Sequence, residues 1–600
     1  MSDYQAPRRE MLFALRAIGG LEAVLAAHGD DAYDMETAEA VLDEAARFAG
    51  EVLSPLNPIG DRQGARWSDG GVVRAADGFA QAHAAFREAG WHGMPARTEF
   101  GGQGAPVLLS TAVLEMWKSA NMAFSLCQML TLGAVEAIAR HADAALCATL
   151  LPPMVEGRWT GTMNLTEPQA GSDLAAIRSR AVPTGDGRYR ITGTKIFITW
   201  GEHDVAENIV HLVLARLPDA PPGVKGISLF AVPKFLPRDD GSPGERNDLV
   251  CASIEHKLGI HGSPTAVMSF GEGGGALGWL VGQPHQGLAC MFTMMNHARL
   301  NVGLEGVAIG ERAYQAAREY ALMRVQGRGI GLGEGDSATI IGHPDVRRML
   351  MDMRARNEAG RALAYYTAAR MDEAHGHGAG AAAAQALVDL LTPVVKGWCT
   401  ESAQRVTADG VQVHGGMGYI EETGAAQHLR DARITTIYEG TTAIQANDLL
   451  NRKLARDGGA VATALLQRIA AEAETWAAGH VPALAALGRA LSPAVAELAA
   501  TCALQVARHG PQAREAAAAT VPHLMQFGTV VGCWLLARGA AAAQAQAQID
   551  ADAAADAGFL QTRIAVARHA ATHLLPEAAA AAAVVREGSA STLALDDAQF

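Results

Sequence analysis

A glutamate in the second half of the chain stands where acid–base chemistry would be expected. Glu439 lies in Ile-Tyr-Glu-Gly-Thr at 437–441, between a β-branched, strand-like run at 434–438 and a helix predicted to begin near Thr441. Aromatic and β-branched neighbours would keep water from this carboxylate, and desolvation raises a carboxyl pKa above its ordinary value of about 4.3. A raised pKa suits a general base. Taken alone, the segment is explained more simply by a glutamate that caps a helix N-terminus.

Three further segments carry residues that could hold a cofactor. The run Met-Asn-Leu-Thr-Glu-Pro-Gln-Ala-Gly-Ser-Asp at 163–173 offers hydroxyls and backbone N–H groups in a tight turn, which can cradle a phosphate. The run Lys-Ile-Phe-Ile-Thr at 195–199 places an aromatic ring and a hydroxyl on one face of a predicted strand, where a flat cofactor could lie. The run Gln-Val-His-Gly-Gly-Met-Gly-Tyr at 412–419 is dense in glycine, so the backbone there must come close to another group. An ordinary turn and a plain core strand explain the first two equally well.

The elements that would position these segments make a mainly α protein with a central β domain. Apolar periodicity predicts helical bundles before and after an antiparallel β barrel or sandwich. In chain order we expect an N-terminal helical extension, a helical domain, the β domain, a second helical bundle and a C-terminal helical extension, at 1–34, 35–156, 157–285, 286–456 and 457–600. Strands are expected at 196–198, 209–215, 227–232 and 266–270, with a hairpin turn at 184–187. One buried helix at 111–132, a glycine-rich surface loop at 327–335 and two to four C-terminal helices complete the prediction.

Composition narrows the possible partners and location. The formal net charge of −14, with no basic run to offset it, argues against binding to nucleic acid. The seven cysteines are scattered singly, which predicts reduced, buried thiols and no metal site. The N-terminal residues lack a signal-peptide core, and the longest apolar tracts are short polyalanine runs, so no membrane span is predicted. The cytoplasm is the expected location.

Together and in this order, the four segments resemble the acyl-CoA dehydrogenase family. The family's Thr-Glu-Pro-x-Ala-Gly-Ser-Asp motif stands at 166–173, its Tyr-Glu-Gly-Thr motif at 438–441, and the likeness covers roughly 35–454. It implies a helix–barrel–helix fold, FAD as cofactor, oxidation of an acyl-CoA thioester to the trans-2-enoyl-CoA, and transfer of electrons to an electron-transfer flavoprotein. The C-terminal extension is similar to that of the family's long branch, which includes 3-methylmercaptopropionyl-CoA dehydrogenases and tends to form dimers.

The resemblance also implies which residues contact FAD. The positions that it assigns to the flavin ring, the pyrophosphate or the ADP part are Met163, Leu165, Thr166, Gly171, Ser172, Phe197, Thr199, Arg324, Gln326, Gln412, Gly416 and Thr441. Phe197 replaces the tryptophan of most members; it can still stack on a ring but lacks the indole N–H. Arg324, Gln412 and Gly416 match positions that reach the FAD of a neighbouring subunit, which implies a homo-oligomer, with a dimer favoured. Gln326 adjoins the 327–335 insertion, so its match is less direct.

For the reaction, the resemblance implies that Glu439 removes the α-proton of the thioester while a β-hydride passes to the flavin. Some members carry the base on an earlier helix, one residue before the position of Arg299, where this chain has Ala298. The thioester oxygen is implied to accept hydrogen bonds from the Glu439 backbone N–H and from a flavin hydroxyl. The implied substrate contacts are Ser172, Asn296, Arg299 and Gly440, with Asn296 in place of a common aspartate.

Three alternatives remain open, one of which is a pure scaffold that would give a colourless protein. An oxidase of the same fold would pass its electrons to oxygen, and oxygen access depends on pocket packing that the sequence does not reveal. A non-catalytic relative would use the scaffold to bind DNA, although the retained Glu439 and the acidic balance argue against that function. The length and branching of the acyl chain are not predicted.

Overall fold

The computed structural model describes residues 4–29, 33–328, 338–376, 378–549 and 554–600, and the chain divides into two compact units. The first unit, Met1–Asp43, Val107–Glu115 and Arg299–Phe600, is helical. The second unit, Glu44–Pro106 and Met116–Ala298, contains all the described strands as well as helices. The order of helices, strands and helices confirms the predicted fold class. The five predicted domain boundaries stay a prediction.

The helices fall into three groups along the chain. Before the main sheet lie α1 (Arg8–Ala14), α2 (Leu21–His28), α3 (Met35–Phe48), α4 (Asn57–Gln63), α5 (Phe79–Glu88), α6 (Val107–Ala120), α7 (Met122–His141) and α8 (Ala144–Val155). After the sheet lie α9 (Gly287–Met323), α10 (Pro344–His375), α11 (Ala381–His414), α12 (Ala425–Arg433) and α13 (Thr442–Asp448). The C-terminal extension contains α14 (Ala460–Ala478), α15 (Pro482–Arg508), α16 (Ala513–Ala518), α17 (Thr520–Ile549), α18 (Ala554–His569) and α19 (Leu575–Thr592).

Two helix predictions need correction. The single helix expected at 111–132 is two helices, because Asn121 has an extended backbone and its side chain accepts a hydrogen bond from the Phe124 N–H, which caps α7. The C-terminal extension has six helices in its described residues, against an expected two to four, because continuous alanine-rich sequence hides the breaks between them. The prediction of buried, unpaired cysteines is confirmed, since all seven are buried and free of disulfides.

The strands build a barrel in the second unit. Their bounds are β1 (Arg66–Ser68), β2 (Val72–Arg74), β3 (Trp159–Asn164), β4 (Arg180–Pro183), β5 (Tyr189–Thr199), β6 (Asn208–Arg216), β7 (Ile227–Pro233), β8 (Phe235–Pro237), β9 (Pro243–Arg246), β10 (Leu249–Ile254), β11 (Thr265–Phe270) and β12 (Ala276–Val281). The pairings β4-β5-β12-β7-β6-β4 close on themselves, and β3 adds to β6. The pairs β3–β6 and β4–β6 are parallel, so the sheet is not purely antiparallel. Long connections, not hairpins, join the strands of these two pairs.

Close helix packing brings α11 against the part of α9 that belongs to the first unit, which begins at Arg299. A Cβ atom at Gly306 on α9 would lie 2.5 Å from the carbonyl oxygen of Cys399 on α11, so only glycine fits this approach. A buried ion cluster stabilises the same bundle: the Arg361 guanidinium donates to Glu115 (2.6 Å) and to Glu311 (2.9 Å). Side chains on neighbouring turns of α9 and α11 can therefore meet in the interior.

Three described helices are long and apolar enough to cross a membrane by length and composition, namely Met122–His141, Pro482–Arg508 and Thr520–Gln548, and the bent pair Arg8–Gly19 and Leu21–His28 would make a fourth. The prediction that no apolar tract has that length is therefore wrong. In the first and third of these helices, 83% of the apolar window is buried inside the protein, so packing within the fold accounts for their composition.

Candidate active site

Glu439 lies in a tight turn between two short helices of the first unit. The strand predicted at 434–438 is wrong, because α12 continues into a 3-10 turn at Ile434–Thr436. The Thr435 hydroxyl donates to the carbonyl oxygen of Ala432 (2.7 Å), so this β-branched residue is satisfied within the turn and needs no strand. The helix predicted near Thr441 is confirmed: α13 begins at Thr442, and the Thr441 hydroxyl oxygen accepts a hydrogen bond from the Ile444 N–H (3.3 Å).

The backbone at Glu439 is held in a conformation that L-residues rarely adopt. Its φ is +54°, in the left-handed region, and φ at Gly440 is +90°. The Gln445 amide donates to the carbonyl oxygen of Glu439 (3.0 Å), and the Lys396 ammonium donates to that of Gly440 (2.6 Å). Such strain persists only where surrounding contacts enforce it, and it concentrates at functional sites. The turn therefore presents one carboxylate in a fixed direction.

The surroundings of Glu439 give its carboxyl group the acidity of a base that works near neutral pH. Glu439 is half-buried, and desolvation raises its pKa to about 7 against the opposing effects of Arg299 and Lys396, while Glu305 raises it further. The Tyr438 hydroxyl donates to the Glu305 carboxylate, which fixes the residue before the base. The desolvation expected from the sequence is thus present.

Arg299 is close enough to the base for its positive charge to lower the pKa of Glu439. It is buried, and its guanidinium donates to the Asp448 carboxylate at the end of α13 (3.1 Å). Contact between Arg299 and the CoA part of a substrate stays a prediction. The side chain of Asn296, the other predicted CoA contact on α9, lies outside the described residues.

A second set of predicted site residues lies in the second unit, where a buried ion pair shapes the turn after β3. The Lys195 ammonium donates to the Glu167 carboxylate (2.8 Å) and to the carbonyl oxygen of Leu165 (3.1 Å). Burial opposes ionisation of Glu167, but Lys195 and a hydrogen bond from the Ser179 hydroxyl outweigh it and lower its pKa to about 2. The pair holds Leu165 and Thr166 in place.

Beyond that pair the turn is open on its outer side. Gly171 and Ser172 are exposed, and a Cβ atom added at Gly171 would meet no other atom within 4 Å. Met163, at the end of β3, is buried, whereas Thr166 is half-buried. Small exposed residues in an anchored turn suit the approach of a phosphate group.

Phe197 is turned out of the sheet by a β-bulge. The register between β11 and β5 shifts between Ala266, opposite Ile198, and Met268, opposite Lys195, so two residues of β5 face one of β11. Phe197 has φ of +60° and leaves 58% of its surface exposed. A bulge re-aims a side chain in this way, and an apolar ring exposed at such a cost suits a flat aromatic cofactor. Thr199, two residues later, is half-buried.

The residues predicted to reach a neighbouring subunit's FAD lie at one end of the first unit. The rings of Tyr320 and His414 are 4.6 Å apart, which brings the end of α9 beside the end of α11. The residues predicted for that role, Arg324, Gln412 and Gly416, are exposed there, and so is the predicted FAD contact Gln326. The Arg324 guanidinium donates only weakly, to Gln326 (3.3 Å). Of the glycine-rich loop predicted at 327–335, residues 329–335 lie outside the described residues.

Sequence reasoning missed the residues that hold the base and the turn after β3. They are Lys195, Glu305, Lys396, Gln445 and Asp448. A usable signal existed for Lys396, which stands in the apolar run Val-Val-Lys-Gly-Trp at 394–398 and is fully buried. A lysine in such a position needs a buried acceptor or a negative charge nearby.

Family models match nearly the whole chain. They are described as acyl-CoA dehydrogenase, N-terminal domain (35–158), middle domain (162–272) and C-terminal domain (285–454), and acetyl-CoA dehydrogenase C-terminal like (465–596).

Individual relatives span the same length. The chain is 48% identical to "3-methylmercaptopropionyl-CoA dehydrogenase" of Ruegeria pomeroyi over 96% of this chain and 97% of that protein. It is 36% identical to "Broad-specificity linear acyl-CoA dehydrogenase FadE5" of Mycobacterium tuberculosis over the full length of both. An acyl-CoA dehydrogenase from Bacillus anthracis, solved in complex with FAD, superposes with a TM-score of 0.74 at 19% identity, covering 94% of this chain and 90% of the other.

Proposed function

Because the chain belongs to the acyl-CoA dehydrogenase family, whose cofactor is FAD, we propose that it oxidises an acyl-CoA thioester to the trans-2-enoyl-CoA. The observation that carries this proposal is Glu439. Its backbone is strained, and burial raises the pKa of its half-buried carboxyl group to about 7. That acidity lets the group accept a proton near neutral pH and hold it during the reaction.

The residues of this chain bind, orient and move a proton. Glu439 accepts the α-proton, and its backbone N–H, fixed by the turn, donates to the thioester oxygen as negative charge develops there. A donor aligned in this way contributes about 3–4 kcal/mol in a site without water. Bound FAD supplies the acceptor for the β-hydride. We assign Phe197, Thr166 and Thr199 to the ring of that cofactor, and Gly171 and Ser172 to its pyrophosphate and to the thioester chain.

For the electron acceptor we propose an electron-transfer flavoprotein. The test compares acceptors and substrates with the purified flavoprotein. A panel of short, medium, long, aryl and methylthio acyl-CoAs, beginning with 3-methylmercaptopropionyl-CoA because of the Ruegeria relative's name, is oxidised with an artificial acceptor. Substrate-reduced enzyme is then mixed with air or with an electron-transfer flavoprotein. Slow reoxidation in air and fast reoxidation by the flavoprotein are expected; rapid formation of hydrogen peroxide would identify an oxidase, and no oxidation of any thioester would refute the proposal.

The reaction should depend on pH through the ionisation of Glu439. Only the carboxylate form accepts the α-proton, and its folded-state pKa is raised to about 7. We therefore expect kcat/KM to be low in acid and to rise with pH through a midpoint near 7. The pH profile of kcat/KM, measured with an acyl-CoA that saturates the enzyme, reports the ionisation of Glu439 in the free enzyme. A profile that is flat across neutral pH would contradict the assigned acidity.

We also propose that the protein is a homodimer. Exposed apolar residues adjoin, along the chain, the positions predicted to contact FAD at the ends of α9 and α11. They are Leu322, Met323, Val325, Met417, Tyr419 and Ile420, and each leaves between 44% and 87% of its surface exposed. Exposed apolar residues grouped around polar ones mark protein interfaces. The double substitution of Met323 and Tyr419 by glutamate should convert a dimer to a monomer in sedimentation velocity and weaken FAD retention. Leu595→Glu, at another exposed apolar position, is the control and should leave the dimer intact.

A further inference from the structure

The turn that carries Glu439 is tied to α11 by a buried lysine. Lys396 is fully buried, and its ammonium donates to the carbonyl oxygen of Gly440 at 2.6 Å. Two residues beyond Gly440, the Thr442 hydroxyl donates to the Glu401 carboxylate (2.6 Å). Glu401 lies on α11 about one and a half turns after Lys396. α11 therefore contacts the turn through two side chains, the cationic Lys396 and Glu401.

Other contacts complete the hold on the base. The Gln445 amide reaches back to the carbonyl oxygen of Glu439 (3.0 Å), and the Tyr438 hydroxyl donates to Glu305 on α9. The carbonyl groups of Glu439 and of Gly440, the residue after it, are thus fixed by Gln445 and Lys396. The positive φ at Glu439 and at Gly440 needs such enforcement, because an unrestrained chain would relax it.

Lys396 also lowers the pKa of the base through its positive charge. The charged groups that act on Glu439 come from α9 (Arg299 and Glu305) and from α11 (Lys396). Arg299 is already paired with Asp448 at 3.1 Å, so part of its positive charge is compensated. Burial lowers the pKa of Lys396 to about 8, against the opposing effects of Glu439, Glu305 and Glu401, which leaves it cationic at neutral pH.

We infer that Lys396 is a positioning residue for the base: it fixes the turn through the Gly440 carbonyl and, together with Arg299, supplies positive charge that keeps Glu439 able to ionise at neutral pH. The effect that we expect Lys396 to have on turnover rests on the proposed function. The acidity of Glu439 is a property of the protein itself and can be tested without turnover.

The test uses the full-length flavoprotein and measures the infrared band of the protonated Glu439 carboxyl, identified by its loss in Glu439→Gln. Lys396→Met removes the charge and keeps the length of the side chain, so the titration midpoint should move upward by about one pH unit. Lys396→Arg restores the charge, and its midpoint should return towards that of the native protein. Lys453→Met, which removes a lysine 4.0 Å from Asp389 elsewhere in the first unit, is the matched control and should not move the midpoint.

A second variant separates geometry from charge. Gln445→Leu loosens the Glu439 carbonyl without changing any charge, so kcat should fall about tenfold while the midpoint of the pH profile stays in place. Lys396→Met should lower kcat and move that midpoint as well.

An unmoved infrared midpoint in Lys396→Met overturns the inference, and so does a Lys396→Arg variant that behaves like Lys396→Met. If the native protein oxidises no thioester, the proposed function fails while the infrared titration still decides the role of Lys396. If Lys396→Met does not fold, Lys396→Arg and Gln445→Leu carry the comparison, and a midpoint moved by Gln445→Leu overturns the division of roles.

Discussion

Glu439→Gln is expected to lower kcat for acyl-CoA oxidation by about 10³- to 10⁴-fold while FAD stays bound. The amide has the size of the carboxylate but cannot accept the α-proton, so the reaction loses its base and keeps its binding geometry. The change also removes a group whose burial raises its pKa to about 7, so the folded protein should be at least as stable as the native one. Steady-state rates with an artificial acceptor, beside the flavin absorbance of the purified variant, measure both effects.

The control for this prediction is Glu422→Gln, which neutralises an exposed glutamate in the same region of the chain. Its rate should match that of the native enzyme. A Glu439→Gln variant with near-native turnover would falsify the assignment of the base. Loss of FAD from that variant would mean that Glu439 serves binding, and the account of the turn would have to change.

The largest structural effect is expected from Lys195→Met in the second unit. Lys195 and Glu167 are almost fully buried, so removing the ammonium leaves a carboxylate without its cation in the interior. Breaking a buried pair from one side costs about 3–5 kcal/mol of unfolding free energy. The turn at 165–172 loses the donor to the carbonyl of Leu165 as well, and FAD affinity should fall with it. Chemical denaturation and flavin retention on gel filtration measure the two losses.

The double variant Lys195→Met with Glu167→Gln distinguishes two causes of the lost stability. One is the uncompensated charge of Glu167, and the other is the missing hydrogen bond from Lys195 to the carbonyl of Leu165. If the cost lies in the uncompensated carboxylate, the double variant should recover much of the stability lost in Lys195→Met. FAD retention should recover less, because the Glu167 contacts to the Ser179 hydroxyl (2.6 Å) and to the Arg178 N–H (2.7 Å) are weakened when the charge is removed. Lys225→Met, at an exposed lysine of the same unit, is the control. A Lys195→Met protein of native stability would contradict the role given to the pair.

Much of this arrangement could be predicted from the sequence, because its strongest signals are local. Changes of apolar period separate helical from β-rich sequence, and the residues Tyr438 to Thr441 form a contiguous motif. The helix start at Thr441 follows from a hydroxyl that can cap a helix at that position. The strand assigned to 434–438 fails for a physical reason: β-branched residues favour strands, yet a hydroxyl bonded to the preceding turn lets Thr435 remain in helical backbone.

The remainder depends on contacts between residues far apart in the chain. Lys396 meets Gly440 across 44 residues, and Lys195 meets Glu167 across 28, so neither partner can be identified from its own neighbours. The outward turn of Phe197 arises from a register shift against β11, a property of two strands that neither strand encodes alone. The strain at Glu439 likewise appears only once the contacts that enforce it are in place.

Anaerobic mixing of the purified yellow protein with an acyl-CoA tests the central claim most directly, because it follows a single transfer of a proton and a hydride without any external acceptor. We expect the native enzyme to lose its oxidised-flavin absorbance rapidly, and Glu439→Gln to bind the same thioester but keep the absorbance. Equal loss of absorbance in the two proteins, or a native protein that binds no flavin, would contradict the central claim.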